Sequence, residues 1–115
     1  MSLASATSPI GGILARAPVI PVLTIARLED AVPLARALTS GGLGVLEVTM
    51  RSPAALAAIT RIKAELPWAI VGAGTVLTSA DIAAAEQAGA DFLVSPGSTP
   101  DLIRAAKGQV LPFLP

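Results

Sequence analysis

Five short runs of this 115-residue chain are apolar at nearly every position: Val19–Thr24, Val45–Met50, Ala69–Thr75, Asp91–Ser95 and Val110–Leu114. A short run that is apolar on both faces and partly β-branched reads as a strand with helices on one side and a core on the other. Between these runs the spacing changes to that of amphipathic helices. The first helix is expected over about Glu29–Thr39, with Ala31, Leu34, Ala35 and Leu38 on one face and Gly41-Gly42 ending it. Ser52-Pro53 reads as a cap with proline at the first helical position, followed by a stripe of Leu56, Ile59, Ile62 and Leu66 that stops at Pro67. A third helix is expected from Thr78 or Ser79, with Asp81 in its first turn, Ile82, Ala85 and Ala88 buried, and Gly89 closing it. Thr99-Pro100 repeats the cap-plus-proline device ahead of Leu102, Ile103 and Ala106. A further helix at about 8–15 is weakened by Gly11-Gly12.

Strands separated by single helices pair in parallel through right-handed crossovers, which makes the fold class α/β. Two closures follow: an open, flavodoxin-like sheet of five strands, or the first half or more of a TIM (β/α)8 barrel, which takes about 250 residues. Pro115 follows the fifth run directly, which would leave a bare parallel edge. The expectation is therefore one domain over residues 1–115 that supplies about the first five strands of a barrel and is incomplete by itself.

Composition narrows the chemistry. Hydrophobic residues are 53% and charged residues 14%, against about a quarter charged in an average domain, so the chain carries more apolar surface than it can cover alone. The 8 basic and 8 acidic residues cancel, no basic run is present and aromatics are 3%, which argues against nucleic-acid binding. Cysteine and histidine are absent, removing thiol nucleophiles, Cys-ligated metals, Ser/His/Asp triads and HExxH sites. Arg16, Pro18, Pro21 and Arg27 interrupt the greasiest stretch, so no membrane span is expected. The first six residues lack the positive start of a signal peptide, and a cytoplasmic location is the expectation.

The most informative run is Val45-Leu46-Glu47-Val48-Thr49-Met50-Arg51. Strand alternation sends Val45, Glu47, Thr49 and Arg51 to one side and Leu46, Val48 and Met50 to the other. If the second set meets the helices, a carboxylate points at the barrel axis, and a buried charge is costly unless paired or used. One reading is a Glu47–Arg51 salt bridge, although four strand residues separate the two by roughly 13 Å. The other is convergence of both side chains on a shared ligand, with Arg51 at the C-terminal strand end where barrel sites are assembled.

Gly72-Ala73-Gly74-Thr75 lacks the third glycine of a dinucleotide fingerprint, since Leu77 stands there. Small residues at this place let a ligand or a neighbouring strand approach the backbone. Thr75 offers a hydroxyl to a bound carboxylate or else caps the next helix. Ser95-Pro96-Gly97 reads first as a turn, and second as a place where Pro96 forms a rigid pocket wall. Asp81, Asp91 and Asp101 fall at helix starts or strand beginnings with no sign that they converge with Glu47, so neither metal nor cofactor is expected. Lys63 and Lys107, the only lysines, fall on helices and read as solvent-facing charges.

The ordered blocks Pro18-Val19-Ile20-Pro21-Val22-Leu23, Leu46-Glu47-Val48-Thr49-Met50-Arg51-Ser52-Pro53, Val71-Gly72-Ala73-Gly74-Thr75-Val76-Leu77, Ser95-Pro96-Gly97 and Leu111-Pro112-Phe113-Leu114-Pro115 resemble the N-terminal portion of the 2-dehydro-3-deoxy-phosphogluconate (KDPG) and 4-hydroxy-2-oxoglutarate (KHG) aldolase family. The resemblance implies a class I aldolase without a cofactor, acting on a phosphorylated 2-keto sugar acid to release pyruvate, and homotrimeric when complete. It implies that Glu47 is the catalytic carboxylate, that Arg51 and Thr75 bind the pyruvyl carboxylate and that Pro96 lines the pocket. The family's imine-forming lysine on strand six and its phosphate-binding turns have no counterpart in these residues. Neither Lys63 nor Lys107 matches that lysine, so the isolated segment is expected to be inactive. Phosphogalactonate-type aldolases resemble the chain less, because they tend to carry asparagine where Arg51 stands. A thiamine-phosphate-synthase-like barrel and a noncatalytic half-barrel used for assembly or complementation compete with the aldolase reading.

Overall fold

A computed structural model describes residues 11–12, 19–97, 99–107 and 111–114. Five strands, β1 (Val22–Leu23), β2 (Val45–Thr49), β3 (Ile70–Gly74), β4 (Phe92–Val94) and β5 (Phe113–Leu114), alternate with four α-helices, α1 (Ala31–Ser40), α2 (Ala55–Glu65), α3 (Ser79–Ala88) and α4 (Pro100–Lys107). All four strand pairs are parallel and the sheet order is β1-β2-β3-β4-β5. A flavodoxin-like sheet runs 2-1-3-4-5, because its chain reverses direction once and puts helices on both faces. Here the order never reverses, so right-handed crossovers place every helix on one face and leave the other bare. This is the arrangement of a (β/α)8 barrel, present as a wedge of its first five strands.

The core lies between helices and sheet. Leu46 and Val48 of β2, Val71 and Ala73 of β3 and Leu93 of β4 meet Ala35, Ile59, Ile62, Ile82 and Leu102 of the helices in one buried cluster. Met50 packs partly against it, as strand alternation requires. The inner face carries Val22, Val45, Glu47, Thr49, Gly72, Gly74 and Phe92. Val45 and Phe92 are buried there, whereas Val22 at the β1 edge remains 61% exposed.

Helix ends account for most boundary differences. A 3-10 turn at Leu28–Asp30 precedes α1, because Pro33 has no amide hydrogen to close a first α-turn begun at Glu29. Thr78 caps α3 in a reciprocal box with Asp81, and Gly89 ends it in the left-handed region at φ 97°. Thr99 Oγ1 accepts from the Leu102 amide at 3.1 Å, with Pro100 at the first position of α4. Ser52 is a correction. It donates to the Ile25 carbonyl at 2.5 Å instead of capping, and α2 begins only at Ala55 after Ala54. Of the helix expected at about 8–15, residues 11–12 are helical and the rest lies outside the described residues.

Lys63 is a second correction. Its ammonium is 2.9 Å from the Asp91 carboxylate and donates to the Ala69 carbonyl at 2.7 Å, while Asp91 also accepts from the Val71 amide at 2.8 Å. Its head clamps the N-terminal ends of β3 and β4, so it is not a free surface charge. Lys107 ends α4, and its side chain lies outside the described residues. No helix among the described residues is long and apolar enough to cross a membrane.

Candidate active site

The bare inner face is lined at its C-terminal end by the residues that carry chemistry. In register, Glu47 pairs with Val22 on one side and Gly72 on the other, and Thr49 pairs with Gly74. The Met50 amide donates to the Gly74 carbonyl at 2.9 Å and the Val76 amide to the Val94 carbonyl at 3.0 Å, which carries the parallel alignment just past the strand ends. Arg51, Thr75 and Pro96 therefore emerge from adjacent strands at one end of the sheet. Lys63 sits at the other end.

Glu47 is partly buried, and desolvation raises its pKa above the ordinary carboxylate value, with the Arg51 charge opposing the shift. No hydrogen bond or ion pair holds its carboxylate among the described residues. The side chain instead lies over the backbone of Gly74, close enough that a Cβ there would stand 2.8 Å from its Cδ. The room over Gly72 is taken by the Phe92 ring, whose Cδ2 would be 2.7 Å from a Cβ on that glycine. Two small residues in the Gly-Ala-Gly strand thus serve different neighbours, an aromatic ring and the carboxylate.

Arg51 is exposed and forms no ion pair among the described residues, so the Glu47–Arg51 bridge is not made. The arginine acts on Glu47 through space and leaves its fork of donors open to solvent. Thr75 has φ 59°, a left-handed conformation that is a true outlier for a β-branched residue. The capping role falls to Thr78, so Thr75 is left at the strand end with its hydroxyl uncommitted among the described residues. Pro96 is exposed in a turn that the buried Ser95 closes through its hydroxyl, which donates to the Gly97 carbonyl. The turn reading of this segment therefore holds alongside the rim position of Pro96.

Sequence reasoning missed a hydroxyl pair beside the carboxylate. Thr49, 2% exposed, shares a 3.2 Å hydrogen bond with Thr24 across β1 and β2. The signal was available in the alternation, since both threonines fall two residues beyond an inner-face position. Among the described residues no group of acidic side chains is arranged to hold a metal ion. A cleft of about 250 Å³ between Leu77–Ser79 and Thr99–Leu102 opens at the same end, but Thr78 and Thr99 are occupied there as helix caps.

Comparison with known proteins gives a consistent picture. A family model described as KDPG and KHG aldolase matches residues 10–115. The KHG/KDPG aldolase of Escherichia coli (strain K12) is 50% identical over 103 residues, covering 90% of this chain and 48% of that enzyme. The 2-dehydro-3-deoxy-phosphogluconate aldolase of Zymomonas mobilis is 51% identical over 106 residues, covering 92% of this chain and 50% of the enzyme. Among solved structures, a KDPG aldolase from Legionella pneumophila, with pyruvate captured at low pH as a covalent carbinolamine intermediate, superposes with TM-score 0.90 at 45% identity. That match covers 95% of this chain and 52% of the Legionella chain. The chain spans about half the length of the relatives it matches.

Proposed function

Because the chain belongs to the KDPG and KHG aldolase family, we propose that the whole protein is a class I aldolase that cleaves 2-dehydro-3-deoxy-6-phosphogluconate to pyruvate and glyceraldehyde 3-phosphate, with 4-hydroxy-2-oxoglutarate as a second substrate. A lysine amine outside these 115 residues attacks the substrate's C2 ketone and, with loss of water, forms an imine. Glu47, directly or through a water molecule, takes the proton of the C4 hydroxyl. The C3–C4 bond then breaks, its electron pair flows into the imine to give an enamine, and the aldehyde leaves. Protonation at C3, assisted by the same carboxyl, and hydrolysis of the imine release pyruvate. Arg51 holds the substrate carboxylate through its fork of donors, Thr75 adds a hydroxyl and Pro96 walls the pocket.

The observation that carries this reading is the Glu47 carboxyl on the inner face, partly desolvated, without a hydrogen bond or ion pair among the described residues, and leaning over Gly74 toward the strand end where Arg51 and Thr75 emerge. A carboxyl whose pKa is raised by desolvation is better suited to return a proton than an ordinary surface glutamate. The Legionella relative's captured pyruvate supports the same chemistry for this protein. Lys63 is excluded as the nucleophile in this reading by its ion pair at the far end of the sheet. A cytoplasmic homotrimer is part of the proposal by family resemblance.

The test is made on the whole protein. Glu47→Gln should lower turnover by about 10²-fold or more while borohydride still traps the pyruvate imine, and Arg51→Ala should chiefly raise KM for the keto acid. Unchanged turnover in the first variant removes Glu47 from the chemistry, and unchanged KM in the second removes Arg51 from substrate recognition.

A further inference from the structure

We infer that Gly74 is a positioning residue for Glu47: its missing side chain makes the berth in which the carboxylate lies. The inference deepens the proposed function and rests on reading Glu47 as the proton-transferring group. In the sheet, Glu47 stands directly beside Gly72, yet the space over Gly72 is filled by the Phe92 ring. The next inner-face position on β3, one pleat nearer the C-terminal end, is Gly74. A Cβ on Gly74 would come 2.8 Å from Cδ and 3.0 Å from Cγ of Glu47, with Oε2 closer still. The carboxylate is therefore laid over bare backbone, toward the strand ends where Arg51 and Thr75 emerge.

The glycine is not needed for its backbone. Gly74 lies in the extended β3 strand and does not have a positive φ, unlike Gly42 and Gly89 among the described residues, so alanine fits its conformation. The three atoms nearest the added methyl all belong to the end of one flexible side chain, Glu47, and none of the three to backbone. Alanine there should leave the sheet intact and turn the Glu47 side chain aside. Displacement by a single methyl group matters because proton transfer depends on position, and an error of about 1 Å can cost 10²-fold.

In the whole protein, Gly74→Ala should lower kcat at least about tenfold while KM for the keto acid and borohydride trapping of the pyruvate imine stay near wild type. In a Glu47→Asp background, where the side chain is one methylene shorter, the same change should cost much less, so the two substitutions couple in a double-mutant cycle. Wild-type kcat in Gly74→Ala, or independent multiplication of the two effects, overturns the inference. If Gly74→Ala does not fold, Glu47→Ala/Gly74→Ala decides: recovery of a folded protein supports the berth, and continued misfolding refutes it. Glu47→Gln serves as the reference. Loss of activity there with none in Gly74→Ala sinks this inference alone, whereas full activity in Glu47→Gln sinks the reading beneath it as well.

Discussion

A carboxyl that loses hydration without gaining a bonded partner holds its proton more tightly, and among the described residues Glu47 is in that position. Folding then favours the protonated form, so the stability it contributes is present at low pH and is lost as pH rises through the raised value. Glu47→Gln cannot ionise and should escape that loss. Urea midpoints of wild type and variant should converge in the acid range, with the variant ahead at neutral pH, and a wild-type lead at neutral pH contradicts the burial argument. Thr75 presents a second local cost. Holding a β-branched residue at φ 59° takes about 1–3 kcal/mol, which persists only where the surroundings impose it. Thr75→Gly should therefore stabilise by about 1 kcal/mol in thermal melts, after allowance for the freer unfolded chain, while affinity for pyruvate falls through loss of the hydroxyl. A destabilised variant would refute the net strain, and unchanged affinity would remove the Thr75 hydroxyl from pyruvate binding.

Among the elements, the tie between α2 and the starts of β3 and β4 makes the clearest prediction. Lys63→Met keeps the stem but deletes the charge, leaving Asp91 with the Val71 amide alone. The pair is partly exposed, so solvent screening holds the expected loss to about 1 kcal/mol. Imine trapping in the whole protein should be undiminished, and a lost adduct would make Lys63 the nucleophile after all. This clamp was illegible in the sequence because its partners lie 28 residues apart for Asp91 and in a loop carbonyl for Ala69, neither of which local periodicity reports. What periodicity does report it reports well: the alternation in β2, the Thr78 and Thr99 caps and the Gly89 stop all stand in the structure. Ser52-Pro53 misled because the same hydroxyl that can cap a helix can reach the Ile25 carbonyl across the sheet. The inner-face position of Glu47 was legible, since one polar residue in an apolar alternating run can face only one way. Its seat over Gly74 was not, because that depends on the register between β2 and β3 and on where Phe92 puts its ring.

At the scale of the molecule, helices cover one side of the sheet and none covers the inner side among the described residues. Val22 is 61% exposed, and β1 and β5 present unpaired edges among the described strands. The proposed nucleophile and phosphate site lie outside this wedge, so the 115-residue polypeptide expressed alone should give no borohydride-stable adduct with pyruvate, as read by intact mass. An adduct would show that these residues contain their own amine nucleophile. The wedge also divides its labour between two rims. Lys63 and Asp91 fasten one, while Arg51 and Thr75 stand at the other with the Glu47 carboxylate leaning toward them from mid-strand. Heat tolerance and reactivity can consequently drift as separate traits: a lineage in a hotter habitat can reinforce the Lys63 rim with shorter connections or extra prolines and leave its turnover untouched.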